Sequence, residues 1–248
     1  MSQQMFYLAM TGLSATMDRM TAAANNLANA STTAFKAQRP VLTAQPLYGQ
    51  GLANRVNVSV GEDTADFKSG PIEQTGRPLD VAVKGQGWIA VQAPDGSIAL
   101  TRNGSLSVAA TGVLQTSDGH PVLGSNYAPI TLPPLQTMTI GQDGTISGSL
   151  VGQSADQIST LGRIALTNPS LKTLQRRADG LFADPVDARP PVDAKVQLQI
   201  GALEGSNANP IALMMTMIEN TRMFQMQTEL VRTVSDISRN QGTPLSLT

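Results

Sequence analysis

Small or apolar residues fall at Phe6, Ala9, Leu13, Thr16, Met20, Ala23, Leu27 and Ala30, in alternating steps of three and four. That is the spacing of a heptad seam, and it predicts a helix over roughly residues 3 to 30. A second ladder, Leu213, Met217, Phe224, Val231 and Val234, keeps the same phase near the C-terminus, with Asn220 and Gln227 on its polar steps. Met223, Met226, Leu230 and Ile237 widen its face. Asn209 is placed to cap this helix and Pro210 to open it, while Gly242 and Pro244 stop it. Between the ladders the helical period is missing. Two helical ends holding everything else between them point to an assembly subunit before an enzyme.

Across residues 1–34 the charged side chains are Asp18 and Arg19 alone, so the rest of the first helix's polar face is Ser, Thr, Gln and Asn. Short neutral groups pack against another polar surface at far lower desolvation cost than charges do. A helix lying on a membrane shows Lys and Arg there instead. The helix ends in ANNLANASTTAFK, residues 24–36. Asn25, Asn26, Leu27 and Asn29 lead into Ser and Thr residues that favour caps and turns, and Phe35 follows as one large apolar anchor. On the second helix, Glu219 with Arg222, Glu229 with Arg232 and Asp236 with Arg239 read as solvated i,i+3 pairs, each worth about 0.2–0.5 kcal/mol.

The middle is written in strands and turns. Pro40, Pro46, Gly49 and Gly51 mark residues 36–56 as an extended connector. Beyond it, residues 57–204 are expected to form a β-domain. Asp95-Gly96, Asn103-Gly104, Asp118-Gly119, Asp143-Gly144 and Asp179-Gly180 supply the positive φ of tight turns. They separate expected strands at Leu79–Val83, Trp88–Gln92, Ile98–Thr101, Val113–Thr116, Thr137–Ile140, Gly162–Thr167 and Val196–Ile200. Regular short strands of this kind argue for an antiparallel sandwich or irregular barrel. Gly85-Gln86-Gly87-Trp88-Ile89-Ala90 spells GxGxxA, but a dinucleotide-binding turn must open a helix, and Trp88 opens a strand.

Composition narrows the class. The chain has 248 residues and 26.0 kDa, with 41% apolar and only 14% charged residues, a net charge of −1 and no cysteine. The charge balance gives no footprint for nucleic acid, and the missing cysteines remove thiol chemistry, Cys-held metal sites and disulfides. No stretch is apolar enough to insert in a membrane, and the first residues carry no basic region of a cleaved secretory signal. His120, the single histidine, sits in an Asp-Gly-His-Pro turn, and no HExxH, GxSxG or Walker loop is present. No catalytic, cofactor or metal site is therefore assigned. A secreted β-sandwich that binds a ligand or carries a hydrolase site on a helical stalk is the reading from a different class.

The run LDVAVKGQGWIAVQAPDGSIALTRNGSLSVAATGVLQTSDGHPVLG, residues 79–124, resembles the β-domain motif of flagellar rod and hook axial proteins. Asp80, Gly85, Gly87, Trp88, Asp95, Gly96, Thr101, Arg102, Gly104, Gly112, Leu114, Gly119, Val122, Leu123 and Gly124 occupy its steps. ANNLAN followed by ST and FK resembles the N-terminal signature of the same family, so the likeness covers nearly the whole chain. Trp88 in GWIAVQ, the short connector and the tail SNANPIALMMTMIENTRMFQMQ are similar to proximal-rod members; a distal-rod or hook-type member is the alternative.

The resemblance implies an α+β fold. Terminal helices, paired antiparallel as a coiled-coil-like assembly domain of residues 1–35 with 205–248, carry the β-domain as an insertion. It implies a non-enzymatic subunit of the rod in the periplasm, exported without a cleaved signal and transmitting torque, with no cofactor. Its partners would be other copies, neighbouring proximal- and distal-rod subunits and, in transit, the flagellar export apparatus. The expected subunit contacts are Phe6, Leu13, Met20, Asn25, Asn26, Leu27, Asn29, Phe35, Leu213, Met217, Phe224, Val231 and Val234. Before assembly both ends are expected to be largely disordered, so that proteolysis trims roughly residues 1–35 and 205–248.

Overall fold

The structure, a computed structural model, describes residues 2–46, 56–60, 64–152 and 158–240. The expected stop at Gly242 and Pro244 lies outside these residues. The chain divides into two compact units, residues 1–30 with 38–64 and 208–248, and residues 31–37 with 65–207.

The first unit holds the helices α1 (Ser2–Ala28) and α2 (Pro210–Asn240), which pack on each other. Asn209 caps α2 as its sequence suggests: its Oδ1 accepts from the N–H groups of Ile211 at 3.0 Å and Ala212 at 3.2 Å. The stretch expected as a bare connector forms β1 (Gln38–Arg39) and β2 (Leu42–Pro46), and β2 pairs antiparallel with β3 (Val56–Val60). Strand β3 lies against α1. Pro46 is the last residue of β2 and does not prevent the strand, while Gly49 and Gly51 lie outside the described residues.

The next strands are β4 (Thr64–Ala65), β5 (Ile72–Gln74), β6 (Val81–Lys84), β7 (Trp88–Gln92), β8 (Ile98–Thr101), β9 (Leu106–Val108) and β10 (Leu114–Thr116). They are followed by β11 (Leu135–Ile140), β12 (Thr145–Leu150), β13 (Ser159–Arg163), β14 (Leu166–Thr167), β15 (Gln175–Arg176), β16 (Phe182–Ala183), β17 (Gln197–Ile200) and β18 (Ala202–Glu204). The second unit is antiparallel, as expected, but it is built from small sheets rather than two large ones. A five-stranded sheet runs β14-β7-β8-β16-β15 and a three-stranded one β11-β12-β13, beside the pairs β9–β10, β6–β17 and β5–β18.

Strand β7 shows how a period of two builds the core. Ile89 and Val91 enter one apolar cluster with Val81, Leu106, Leu114 and Ile146, while Trp88 and Ala90 enter a second with Leu100, Leu123 and Phe182. Both faces are covered, so β7 is buried along nearly its whole length. The GxGxxA turn thus leads into a core strand, with Gly87 packed so closely on Val196 that a Cβ there would come within 2.5 Å of it. Positive φ is found at Gly96, Gly119, Gly144 and Gly180, as their Asp-Gly turns require. Gly104 differs: its φ is not positive, and glycine is needed because a Cβ would lie 1.7 Å from the Val81 carbonyl oxygen.

Candidate assembly interface

Along α2 the heptad positions Leu213, Met217, Phe224, Gln227 and Val231 are half-buried and Asn220 is buried, while most other positions are exposed. On α1, Leu13, Met20 and Leu27 are half-buried and Thr16 and Ala23 buried. The Thr16 hydroxyl lies 2.9 Å from Gln227 Oε1 and 3.0 Å from the Gly12 carbonyl, so one polar step of each seam meets the other. Asn220 is 7% exposed, and among the described residues its Nδ2 finds no acceptor. The side chains of Phe6, Val234 and Ile237 lie outside the described residues.

A second buried face of α1 carries Ala15, Ala22 and Asn26. Asn26 is bound edge to edge with strand β1: its Nδ2 donates to the Gln38 carbonyl at 2.8 Å and its Oδ1 accepts from the Gln38 N–H at 2.7 Å. Its amide replaces a peptide unit of a neighbouring strand. Of the other residues in this motif, Asn25 is exposed, and Asn29 Nδ2 bonds the Asn25 carbonyl at 2.9 Å. Alanines carry too weak a signal in sequence for this face to be read in advance.

The threonines of both helices turn inward on their own backbone. Thr16, Thr21, Thr216, Thr221, Thr228 and Thr233 each place the hydroxyl on the carbonyl four residues back. A hydroxyl already satisfied in this way loses little when water leaves, so the polar faces are cheap to cover. Of the acid–base pairs on α2, Glu229 and Arg232 stand 4.0 Å apart with both side chains largely in solvent, a contact of little energetic weight.

α2 also bears a second apolar stripe. At about 100° per residue, Ile211, Met215, Ile218, Met226 and Leu230 gather on the side away from the seam. They are exposed, Ile211 by 72% and Met226 by 63%. Met223, Met226 and Leu230, all expected to widen the seam, are thus exposed, and Met226 and Leu230 lie on the other stripe.

The second unit contains a constellation that the sequence reading missed. Lys36, Arg102 and Glu204 are buried together: Lys36 Nζ is 2.5 Å from Glu204 Oε1 and Arg102 Nη1 is 2.9 Å from Glu204 Oε2. The Gly70 N–H donates to Glu204 Oε1 at 2.9 Å, and Lys36 Nζ also donates to the Lys68 carbonyl at 2.8 Å. Arg102 lies over the Trp88 ring at 5.4 Å and donates to the Gly85 carbonyl at 2.5 Å. Burial pushes the Glu204 carboxyl up, but the hydrogen bond and charge of Lys36, with those of Arg102, outweigh it and hold the carboxyl below its ordinary value. Burial draws the Lys36 ammonium down by more than Glu204 raises it.

Asn207 completes this clasp. Its Oδ1 accepts from the Ala37 N–H at 2.7 Å, and its Nδ2 donates to the carbonyls of Asp66 at 2.7 Å and Lys68 at 3.0 Å. Phe35 accepts at its carbonyl from the Asn207 N–H, and its half-buried ring lies 4.8 Å from the Arg176 guanidinium. Phe35 and Lys36 therefore belong to the β unit, not to the helical one. Among the described residues no cluster of His, Cys, Asp and Glu could hold a metal, and no helix is long and apolar enough to cross a membrane.

Three family models match the chain in its three parts. Residues 6–36 match "Flagella basal body rod protein", residues 82–148 "Flagellar hook protein FlgE/F/G D1 domain" and residues 199–241 "Flagellar basal body rod FlgEFG protein C-terminal". The chain is 39% identical over 242 residues to the flagellar basal-body rod protein FlgF of Salmonella typhimurium, covering 95% of this chain and 94% of that one. It is 40% identical over 247 residues to FlgF of Escherichia coli, covering 97% and 98%. The rod protein FlgG of Buchnera aphidicola is more distant, 29% identical over 250 residues, covering 92% and 94%. With full-length likeness to FlgF and all three parts matched in order, the chain belongs to the FlgF family of flagellar basal-body rod proteins.

Proposed function

We propose that this chain is built into the proximal rod through its two terminal helices, paired antiparallel as a coiled-coil-like element. Helices of neighbouring copies and of adjoining proximal- and distal-rod subunits cover its outer surface. The observation that carries this reading is the two-faced α2: one apolar stripe is covered by α1 and the other, from Ile211 to Leu230, is bare. Exposed apolar stripes of this length mark interaction surfaces, and the neutral, back-bonded polar positions beside it make close packing inexpensive. Covering each of these half-exposed side chains is worth about 1 kcal/mol or more.

The chain is a structural subunit of the flagellar rod and not an enzyme, as its family is. In the proposed arrangement torque passes through the helix packing, in the periplasm, while the inserted β unit makes the side contacts between subunits. The subunit reaches the rod through the flagellar export apparatus. Met215→Glu and Ile218→Glu, both at exposed positions, test the reading. The purified variant is expected to keep its circular dichroism while its amount in isolated basal bodies falls to background. Incorporation at the unaltered level would overturn it.

A further inference from the structure

The methionines of this chain are concentrated in one place. Of eleven, only Met138 lies in residues 65–207; the others are on α1 and α2 or at residue 1. On α2, Met214, Met215, Met223 and Met226 are exposed by 54%, 61%, 41% and 63%. Met10 and Met17, a heptad apart on α1, are exposed as well. Seam methionines Met20 and Met217 are half-buried by comparison. The chain has no cysteine, so no thiol competes for an oxidant.

We propose that Met215 and Met226 form an oxidation-sensitive modification site on the docking face of α2, through which peroxide-class oxidants block incorporation of the free subunit. The proposal rests on the assembly reading given above. In the step, the thioether sulfur gives an electron pair to one peroxide oxygen, an S–O bond forms and the O–O bond breaks. The methionine is oxidised to the sulfoxide and hydrogen peroxide is reduced to water. A flexible apolar side chain becomes polar, with an oxygen that needs a hydrogen-bond donor. On a face lined by Ile211, Ile218 and Leu230 no such donor is at hand, and burying the sulfoxide there weakens docking about tenfold or more. Once covered by neighbouring helices the same sulfurs are shielded, so the site acts before assembly.

The test has two arms. In the first, the purified full-length chain is treated with hydrogen peroxide and oxygen addition is mapped by peptide mass spectrometry. Met214, Met215 and Met226 are expected to gain oxygen several times faster than Met20, Met217 and Met138. In the second, cells lacking methionine sulfoxide reductases are exposed to sublethal peroxide, and the subunit in isolated basal bodies is quantified for the unaltered chain and for one with Met215 and Met226 both changed to Leu. About a tenfold loss confined to the unaltered chain is expected. Equal losses in both, or oxidation of Met20 and Met217 as fast as the exposed set, would overturn the proposal. If the Leu variant is absent from basal bodies without peroxide, this proposal is overturned, while the glutamate variants still judge the assembly reading separately.

Discussion

Lys36 and Glu204 stand 168 residues apart in the chain, and their Nζ and Oε1 atoms meet at 2.5 Å with neither side chain reaching solvent. Around this pair the segments holding residues 34–37, 66–70 and 204–207 are bonded to one another, so the clasp is where the β unit's distant stretches are tied together.

The clasp is electrically lopsided, with Lys36 and Arg102 sharing the single carboxylate of Glu204. Glu204→Gln strands two buried cations, and a loss of about 3–5 kcal/mol in unfolding free energy is expected, as for other broken buried pairs. Lys36→Met leaves Glu204 bonded to Arg102 and to the Gly70 N–H, so its cost should be clearly smaller. Denaturant titration of the two variants decides; equal costs would refute the account.

Acid should open the clasp. Glu204 has a folded-state pKa below its unfolded value, so its contribution is fully present above the unfolded value near about 4.3 and disappears as pH falls through the folded one. Stability measured from pH 7 downward should hold until about that point and then drop, with a shallower drop in Glu204→Gln. The Lys36 shift acts at the alkaline end with the same sign of slope: a lysine depressed in the folded state lets stability rise as pH climbs between its folded and unfolded values.

Asn220 is expected to cost the subunit stability, because its buried Nδ2 has no acceptor among the described residues. Asn220→Leu removes the orphan donor and adds apolar contact on a seam position between Met217 and Phe224. The helical unit should gain about 1 kcal/mol, read as a higher midpoint for loss of helical circular dichroism. A lower midpoint would show that the amide is satisfied in solution.

Limited proteolysis of the purified chain should leave residues 31–37 and 65–207 resistant, with the terminal cuts near residues 30 and 208. A cut at residues 35 and 205 would remove Phe35 and Asn207, which the clasp holds. N-terminal sequencing and mass of the fragment distinguish the two boundaries.

Periodicity alone identified both helices, because a seam of seven-residue repeats leaves its phase in the sequence whatever packs against it. Strands β7 and β8 were legible to the residue, Trp88–Gln92 and Ile98–Thr101, since an Asp-Gly turn with positive φ at Gly96 separates them. Strands β5, β9, β12, β15, β16 and β18 were not, being mostly two or three residues long and too short to carry a period. Long β12 was hidden by its serines and by Gly148, where a Cβ would lie 2.6 Å from the Thr137 carbonyl oxygen.

Local pattern thus determined where the helices run, which turns are tight and that the middle is antiparallel, for each depends on neighbours within a few residues. Only the tertiary structure decided that Phe35 and Lys36 belong to the β unit, that Asn26 bonds β1, that Gly104 is glycine for lack of space and that one stripe of α2 stays bare. Those facts are set by partners up to 170 residues away, and a single sequence read by spacing holds no record of which distant residues meet.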